Sequence, residues 1–351
     1  MELFMVNPVV SFARTKNSEF IFFNAHKFKY YKFKGNEYIN FILDEMSHGC
    51  SLADFNKSVE KNKLSVVEVE KYLSFLIGHD LIQHEEVPNS YNLEKIKLPE
   101  LQDDSRYGYQ LLYLKQRFSS LGISEEDLMK RIKNFRLCVV GAGAIGSFIT
   151  AMAAAVGIGT IRMIDGDVVE ASNITRQIFY KESDVNRAKK VDSMNSFVSS
   201  LNSQVKFDPV DHYVDVKNKD LSDFKDMDLV VQAADQPAGV IDEYIDFVGK
   251  SLKLPSLYVH NSTVGPFVVP GETKNYLEFE ESIDQETDGL YTEFIHNVDS
   301  RSRTAYPTIV HGILPLASVL FDKVFEFAVT GDIPTLRNQI WLEKERKYKS
   351  F

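Results

Sequence analysis

An α/β fold with a doubly wound, mostly parallel sheet, preceded by a small α+β unit, is the class this sequence predicts. Three observations predict it. From residue 136 apolar strand segments alternate with helical ones, the grammar of strand–helix–strand units. The turn "GAGAIG" stands between the first such strand and its helix, the context in which glycines at this spacing carry meaning. Before about residue 95 the order is different: short aromatic strands, then three helical stretches, as in a winged helix.

In the first domain, 1–92, "VVSFAR", "EFIFFNA" and "FKYYKFK" are short, aromatic and partly alternating, so they predict strands. Helices are expected at about 36–47, 51–60 and 65–79. Gly49 ends the first, Ser51 caps the second, and Ser65 with Glu68 opens the third as a capping box. A strand in "LIQHEE" closes the domain. Residues 93–135 form a polar linker and helices, among them "YGYQLLYLKQRFSSLG" and, after the N-cap Ser124, "EEDLMKRIKNF". In 136–351 the strand "RLCVV" leads into the small-residue helix "SFITAMAAAVG". Strand "TIRMID", helix 184–201 and strands in "KFDPVDH", "DLVVQAAD", "PSLYVHNS" and "GPFVVPG" follow. The segment 308–330 is apolar on most faces, so it predicts a helix buried in the core or across a dimer interface.

Composition narrows the functions. The 351 residues are 44% hydrophobic and 26% charged, with net charge −10. An acidic chain argues against nucleic acid or anionic lipid as the main partner. No apolar run reaches the roughly 18 residues a membrane span needs. The N-terminus lacks a basic start and an apolar core, so a cytoplasmic location is the expectation. Two cysteines, Cys50 and Cys138, build neither a disulfide framework nor a four-cysteine zinc site.

Gly141, Gly143 and Gly146 divide three tasks: a tight turn, close approach of the backbone to phosphate, and close packing of helix on strand. Ala144 opens the helix whose N-terminus receives the anion. Asp165 ends the second strand, placed to accept from ribose hydroxyls, and Asp167 stands in the same loop. A nicotinamide dinucleotide would fit this much. It would leave Asn173, Arg176 and Gln177 of "SNITRQIF", Lys189 of "DVNRAKK" and Asp235 of "VVQAAD" without a task. A triphosphate that must lose pyrophosphate gives them one: cations neutralise the phosphates and an Asp holds Mg2+. His260 and Asn261, at the end of a later strand, are lesser candidates for substrate contact.

The run "GAGAIG … IDGDVVEASNITRQ … DVNRAKK … AAD" resembles the E1-like adenylating enzymes, the ThiF/MoeB superfamily that serves ubiquitin-like, molybdopterin and thiamin activation. The resemblance covers roughly 100–330. It implies a Rossmann-like adenylation domain that transfers AMP from ATP·Mg2+ to a carboxylate. By motif it implies Asp165 on ribose, Asn173, Arg176 and Lys189 on phosphates, and Asp235 on Mg2+. Three departures stand out. Where the family has R-Y-x-R, "RYGY" keeps Arg106 but has Tyr109 at the second arginine position. Arg106 then either takes over or a contact with the partner subunit is lost. Where the family has zinc cysteines, Asn275 and Glu278 stand instead, so no zinc is expected. No cysteine suits a thioester; Cys138 and Cys50 predict small core residues.

The N-terminal domain resembles the peptide-recognition domains of enzymes that modify ribosomally made peptides, which take up a leader as an added strand. The whole resembles the microcin C7 type of peptide adenylating enzyme and, lacking zinc cysteines, the pantocin A type. The resemblance implies adenylation of carboxylates in a precursor peptide, Glu side chains in the pantocin type, followed by intramolecular attack in antibiotic biosynthesis. It also implies a homodimer. The alternatives are a C-terminal nucleotidyl-peptide product, an NAD-dependent oxidoreductase and a non-catalytic adaptor subunit. Segment 278–303 is expected to form a crossover loop over the substrate.

Overall fold

A computed structural model describes residues 2–7, 10–14, 19–24, 29–46, 49–86, 106–260, 262–292, 308–334 and 336–351. The chain divides into two compact units, Met1–Asp127 and Leu128–Phe351.

The first unit contains β1 (Glu2–Val6), β2 (Val10–Arg14), β3 (Glu19–Asn24), β4 (Lys29–Lys34), α1 (Glu37–Met46), β5 (Cys50–Ser51), α2 (Leu52–Lys61), α3 (Val66–Gly78), β6 (Ile82–Glu86) and α4 (Gly108–Phe118). The strands form two antiparallel three-stranded sheets, β5-β1-β6 and β2-β3-β4. The expected strands and helices are there, with β1 and the two-residue β5 in addition. The sequence of β1, Glu-Leu-Phe-Met-Val, has too little alternation to read as a strand; pairing with β6 over its whole length makes it one. Ser51 caps α2 by accepting from the Asp54 N–H at 3.1 Å, and Ser65 caps α3 in the same way through Glu68. The core gathers Phe20 and Phe22 from β3, Ile42, Leu43 and Met46 from α1, Phe55 from α2 and Leu76 from α3.

The helix α5 (Glu125–Asn134) leads into the second unit. There follow β7 (Arg136–Val140), α6 (Ala144–Val156), β8 (Thr160–Ile164), α7 (Lys190–Leu201), β9 (Lys206–Val210), β10 (Leu229–Gln232), α8 (Val240–Leu252), β11 (Ser256–His260) and β12 (Thr263–Val268). The chain closes with α9 (Tyr276–Glu286), α10 (Leu290–Thr292), α11 (Val310–Thr330), β13 (Gln339–Leu342) and β14 (Lys347–Ser350). One eight-stranded sheet runs in the order β14-β13-β12-β11-β10-β7-β8-β9. The five strands from β11 to β9 are parallel, and β12, β13 and β14 add an antiparallel edge. This is the doubly wound α/β sheet the sequence predicts.

Both faces are covered. Cys138 and Val140 of β7 pack with Ile241, Tyr244, Ile245 and Val248 of α8. On α6, Phe148 packs with Ile313 and Ala317 of α11. Burial pushes the Cys138 thiol far up, and that of Cys50 up to about 11, so neither is a ready nucleophile. Among the described residues no helix is long and apolar enough to cross a membrane.

The second unit differs from the sequence reading in β13 and β14, which were not expected, and at two further places. The helix expected at 184–201 begins only at Lys190. Asn186 takes a left-handed φ of 56°, and Lys189 bridges back to Val168. The expected crossover loop, 278–303, is helical in its first part, over α9 and α10. A reciprocal capping box makes the start: Asn275 accepts from the Glu278 N–H, and Glu278 accepts from the Asn275 N–H at 2.8 Å. Residues 293–303 of that loop lie outside the described residues.

Candidate functional site

The sheet reverses its winding at β7. From β7 the chain winds outward through β8 to β9, then returns to β10 on the other side of β7 and continues to β11. The carboxyl ends of β7, β8 and β10 therefore meet at a topological switch point, where open α/β sheets bind ligands. The three glycines sit there, and each does something different. Gly141 holds φ at +95°, and a Cβ would lie 2.9 Å from the Ala234 backbone. A Cβ on Gly146 would stand 1.9 Å from the Gly141 carbonyl oxygen, so only glycine lets α6 start against the turn. A Cβ on Gly143 would meet nothing within 4 Å. The chain thus opens onto free space just before Ala144, where α6 begins without a side-chain cap. The unbonded N–H groups of a 13-residue helix suit an anion.

On the β8 side the charged groups are tied to one another. Asp165 accepts from the Ala142 N–H at 2.7 Å and the Asp167 N–H at 2.8 Å. Burial pushes its carboxyl up, and Lys190 and the two backbone donors work against that. Asp167 accepts from the Lys190 ammonium at 2.8 Å and the Tyr213 hydroxyl at 2.6 Å. Burial would raise it, but these two partners outweigh burial and hold it below the usual carboxylate range. Lys189 donates to the Gly166 carbonyl at 2.8 Å and pairs with Asp211 at 2.9 Å.

The segment 170–180 folds beneath the turn. Asn173 is buried and accepts from the Glu170 N–H at 2.9 Å, so its amide oxygen shapes this loop. Arg176 donates to the Ser172 carbonyl at 2.8 Å. Gln177 is 3% exposed, and its Oε1 has no hydrogen-bond partner among the described residues. Tyr180 donates to the Ala142 carbonyl at 2.6 Å, clamping the glycine turn from below.

On the β10 side the chain leaves the sheet through Ala233 and Ala234 to Asp235, which is exposed and has no hydrogen bond or ion pair among the described residues. Its carboxylate is available. One free carboxylate beside a phosphate pocket fits Mg2+, which takes one or two protein oxygens together with substrate phosphates. Asn275 and Glu278 spend their side chains on the capping box and offer no thiolate, so that position does not fit zinc. Arg106 lies in the first unit, on the exposed turn before α4.

The site residues of the second unit thus gather on loops at one edge of one sheet. Sequence reasoning missed three of their supports. Lys190, next to the predicted Lys189, is the one that reaches Asp167; two adjacent lysines at a helix start give no pattern to choose between them. Tyr180 and Tyr213 bond to the site from loops, where no periodicity marks them. A cavity of about 960 Å3, lined by Arg131, Phe135, Lys225, Lys253 and Phe327, opens at the opposite edge of the sheet and holds none of these residues.

Known proteins resemble this chain in two ways. A family model described as the ThiF family matches residues 115–299. The adenylyltransferase and sulfurtransferase uba4 of Pyricularia oryzae is 37% identical over 132 residues, 38% of this chain and 25% of that protein. The chain spans 25 to 40% of the length of the first such relatives. In fold, E. coli MccB solved with ATP aligns over 100% of this chain and 96% of its own, with TM-score 0.68 and 21% identity. PaaA aligns over 97% of each chain, with TM-score 0.62 and 19% identity.

Proposed function

The chain belongs to the ThiF family, and from that premise we propose that it adenylates a carboxylate of a ribosomally made precursor peptide, using ATP and Mg2+. The observation that carries this reading is Asp235: a carboxylate without a partner, one strand away from a glycine turn that opens onto free space. A dinucleotide would leave it idle, as an oxidoreductase reading does. A triphosphate gives it a metal to hold.

Each residue then has a task. The α6 N-terminus and Gly143 receive phosphate. Asp165, already oriented by two backbone donors, accepts from the ribose hydroxyls. Arg176 and Lys189 turn from carbonyl partners to the β and γ phosphates, and Asn173 and Gln177 line the pocket from the loop below. Asp235 would hold Mg2+, whose chemistry is to offset charge on the leaving pyrophosphate. The peptide carboxylate attacks the α phosphorus and becomes a mixed anhydride with AMP, which a second nucleophile of the peptide displaces.

The peptide part of the reading draws on the first unit and on its likenesses. β4 pairs only with β3 among the described residues. Its end, with Ile39, Tyr72 and Phe75, borders a hollow of about 410 Å3. An edge strand beside an apolar hollow is what a leader peptide needs for strand addition. MccB has been solved with the peptide MccA and the ATP analogue AMPCPP. Leu314 and Ile309, exposed near the start of α11, suit the dimer interface that the family resemblance implies.

The test is to supply ATP, Mg2+ and a pool of synthetic Glu-bearing peptides, and to follow AMP, pyrophosphate and peptide mass. The expected result is peptide-dependent AMP with loss of water from the peptide. A nucleotidyl mass gain would favour a microcin-type product. AMP formation only with the carboxyl terminus of a small acceptor protein would favour the sulfur-transfer role that the name of the uba4 relative suggests. No AMP with any acceptor would leave the adaptor reading.

A further inference from the structure

Behind the carboxyl end of β11 lies a buried polar chain that the nucleotide site does not use. His260 ends β11. β11 runs parallel beside β10 with Tyr258 opposite Gln232, so His260 stands at the same carboxyl edge of the sheet from which the chain leads to Asp235. The His260 Nε2 lies 3.3 Å from the Tyr276 hydroxyl. Tyr276, fully buried, also reaches Asp242 and Tyr291, and Tyr291 donates to Glu280 at 3.3 Å. Asp242 and Glu280 are only 6% and 8% exposed, whereas His260 is partly open.

We propose that His260 accepts the proton released when a peptide nucleophile attacks the acyl adenylate, with Tyr276 and Asp242 as the positioning residues that fix its ring. The proposal rests on the adenylation reading above.

The neighbours of Asp242 can be named from every side. Gln232 of β10 donates to it at 2.9 Å. On its own helix, Glu243 adds negative charge, and Asp246 is taken up by Lys250 and the Tyr276 N–H. Tyr258 of β11, Glu280 of α9 and Tyr291 of α10 complete the surround. Burial, then the charge of Asp242, pushes Glu280 up to about 7. Burial pushes Asp242 up as well, and the charge of His260 and the hydrogen bonds from Gln232 and Tyr276 work against that. The Tyr276 hydroxyl donates to the Asp242 carboxylate and accepts the His260 Nε2–H. That tautomer leaves the Nδ1 lone pair free. As the peptide nitrogen bonds to the acyl carbon, the bond from that carbon to the phosphate oxygen breaks. Its electron pair leaves with AMP, and the N–H proton passes to Nδ1. The imidazolium faces Asp242 through Tyr276 and returns its proton to water at the open edge.

Two measurements on the full-length protein test this. The first needs no substrate: 15N NMR of labelled histidine rings, with His260 assigned by the loss of its signals in His260→Gln. The expected result is the Nε2–H tautomer, with ring nitrogen signals that move in Tyr276→Phe as the hydroxyl partner is lost. An Nδ1–H tautomer, or the same ring nitrogen signals in both proteins, overturns the proposal. The second uses the peptide from the synthetic pool that supports AMP formation. In His260→Gln, ATP–pyrophosphate exchange should stay within about twofold of the parent. Cyclised product should fall roughly a hundredfold and lose the acid limb of its pH profile. Unchanged product formation, or loss of exchange along with it, overturns the proposal. Absence of exchange in the parent strikes the adenylation reading instead and leaves the NMR result to decide for His260.

Discussion

The two flanks of the switch point are built on opposite principles. On the β8 flank, Asp165, Asp167, Lys190, Tyr180 and Tyr213 are bonded to one another or to the turn, and Lys189 to the Gly166 carbonyl and Asp211. On the β10 flank, Asp235 stands without a partner among the described residues. The first flank is set in shape before any ligand arrives; its groups contribute to stability as well as to binding. The second contributes little to stability and keeps a charge for a ligand. Substitutions should therefore separate the flanks by what they change.

The largest expected effect is on activity. Asp235→Ala should lower ATP–pyrophosphate exchange by roughly a hundredfold to a thousandfold, with a thermal midpoint within a degree or two of the parent. A large drop in midpoint would mean that Asp235 supports the fold and would erase the contrast. Next comes the closed flank. Gly146→Ala forces a Cβ onto the Gly141 carbonyl and should cost roughly 3–5 kcal/mol in urea unfolding. A stable variant would show that the turn can shift away from α6. Tyr180→Phe removes one hydroxyl and its bond to Ala142. About 1 kcal/mol of stability should go, and the ATP KM should rise by up to roughly fivefold. An unchanged protein would take Tyr180 out of the clamp. The smallest effect is on the α9 cap, whose hydrogen bonds join neither flank. Asn275→Ala breaks the α9 capping box and should cost about 1 kcal/mol, with exchange activity intact. Added zinc should leave the unfolding midpoint of parent and variant alike, because a Cys pair is absent there.

Much of this was legible in the sequence, for identifiable reasons. Parallel strands buried on both faces are short apolar runs, and β7, β8, β10 and β11 read as such. A glycine turn between strand and helix announces itself, because each glycine is there for a backbone task that no other residue performs. Caps at Ser51 and Ser65 are local, and local chemistry survives folding unchanged. The start of α7 was misplaced because Arg187, Ala188 and Lys189 are good helix formers that lead into it without a break, and only the bridge from Lys189 to Val168 across the loop delays the helix to Lys190. α9 was hidden for the related reason that its acidic surface face obscures Tyr276 and Phe279, which are buried by the neighbouring core.

By itself the sequence determined the α/β class, the order of the elements, the family pattern and the set of charged residues at the edge of the sheet, because each depends on spacing along the chain. Only the tertiary structure decided which charges are spent on each other and which remain free. Lys190 rather than Lys189 reaches Asp167, Tyr180 holds the glycine turn, Asp235 is left open, and His260 lies in front of two buried carboxyls. Those outcomes depend on distances between residues far apart in sequence, and on how strongly burial shifts the balance between a proton and a charge.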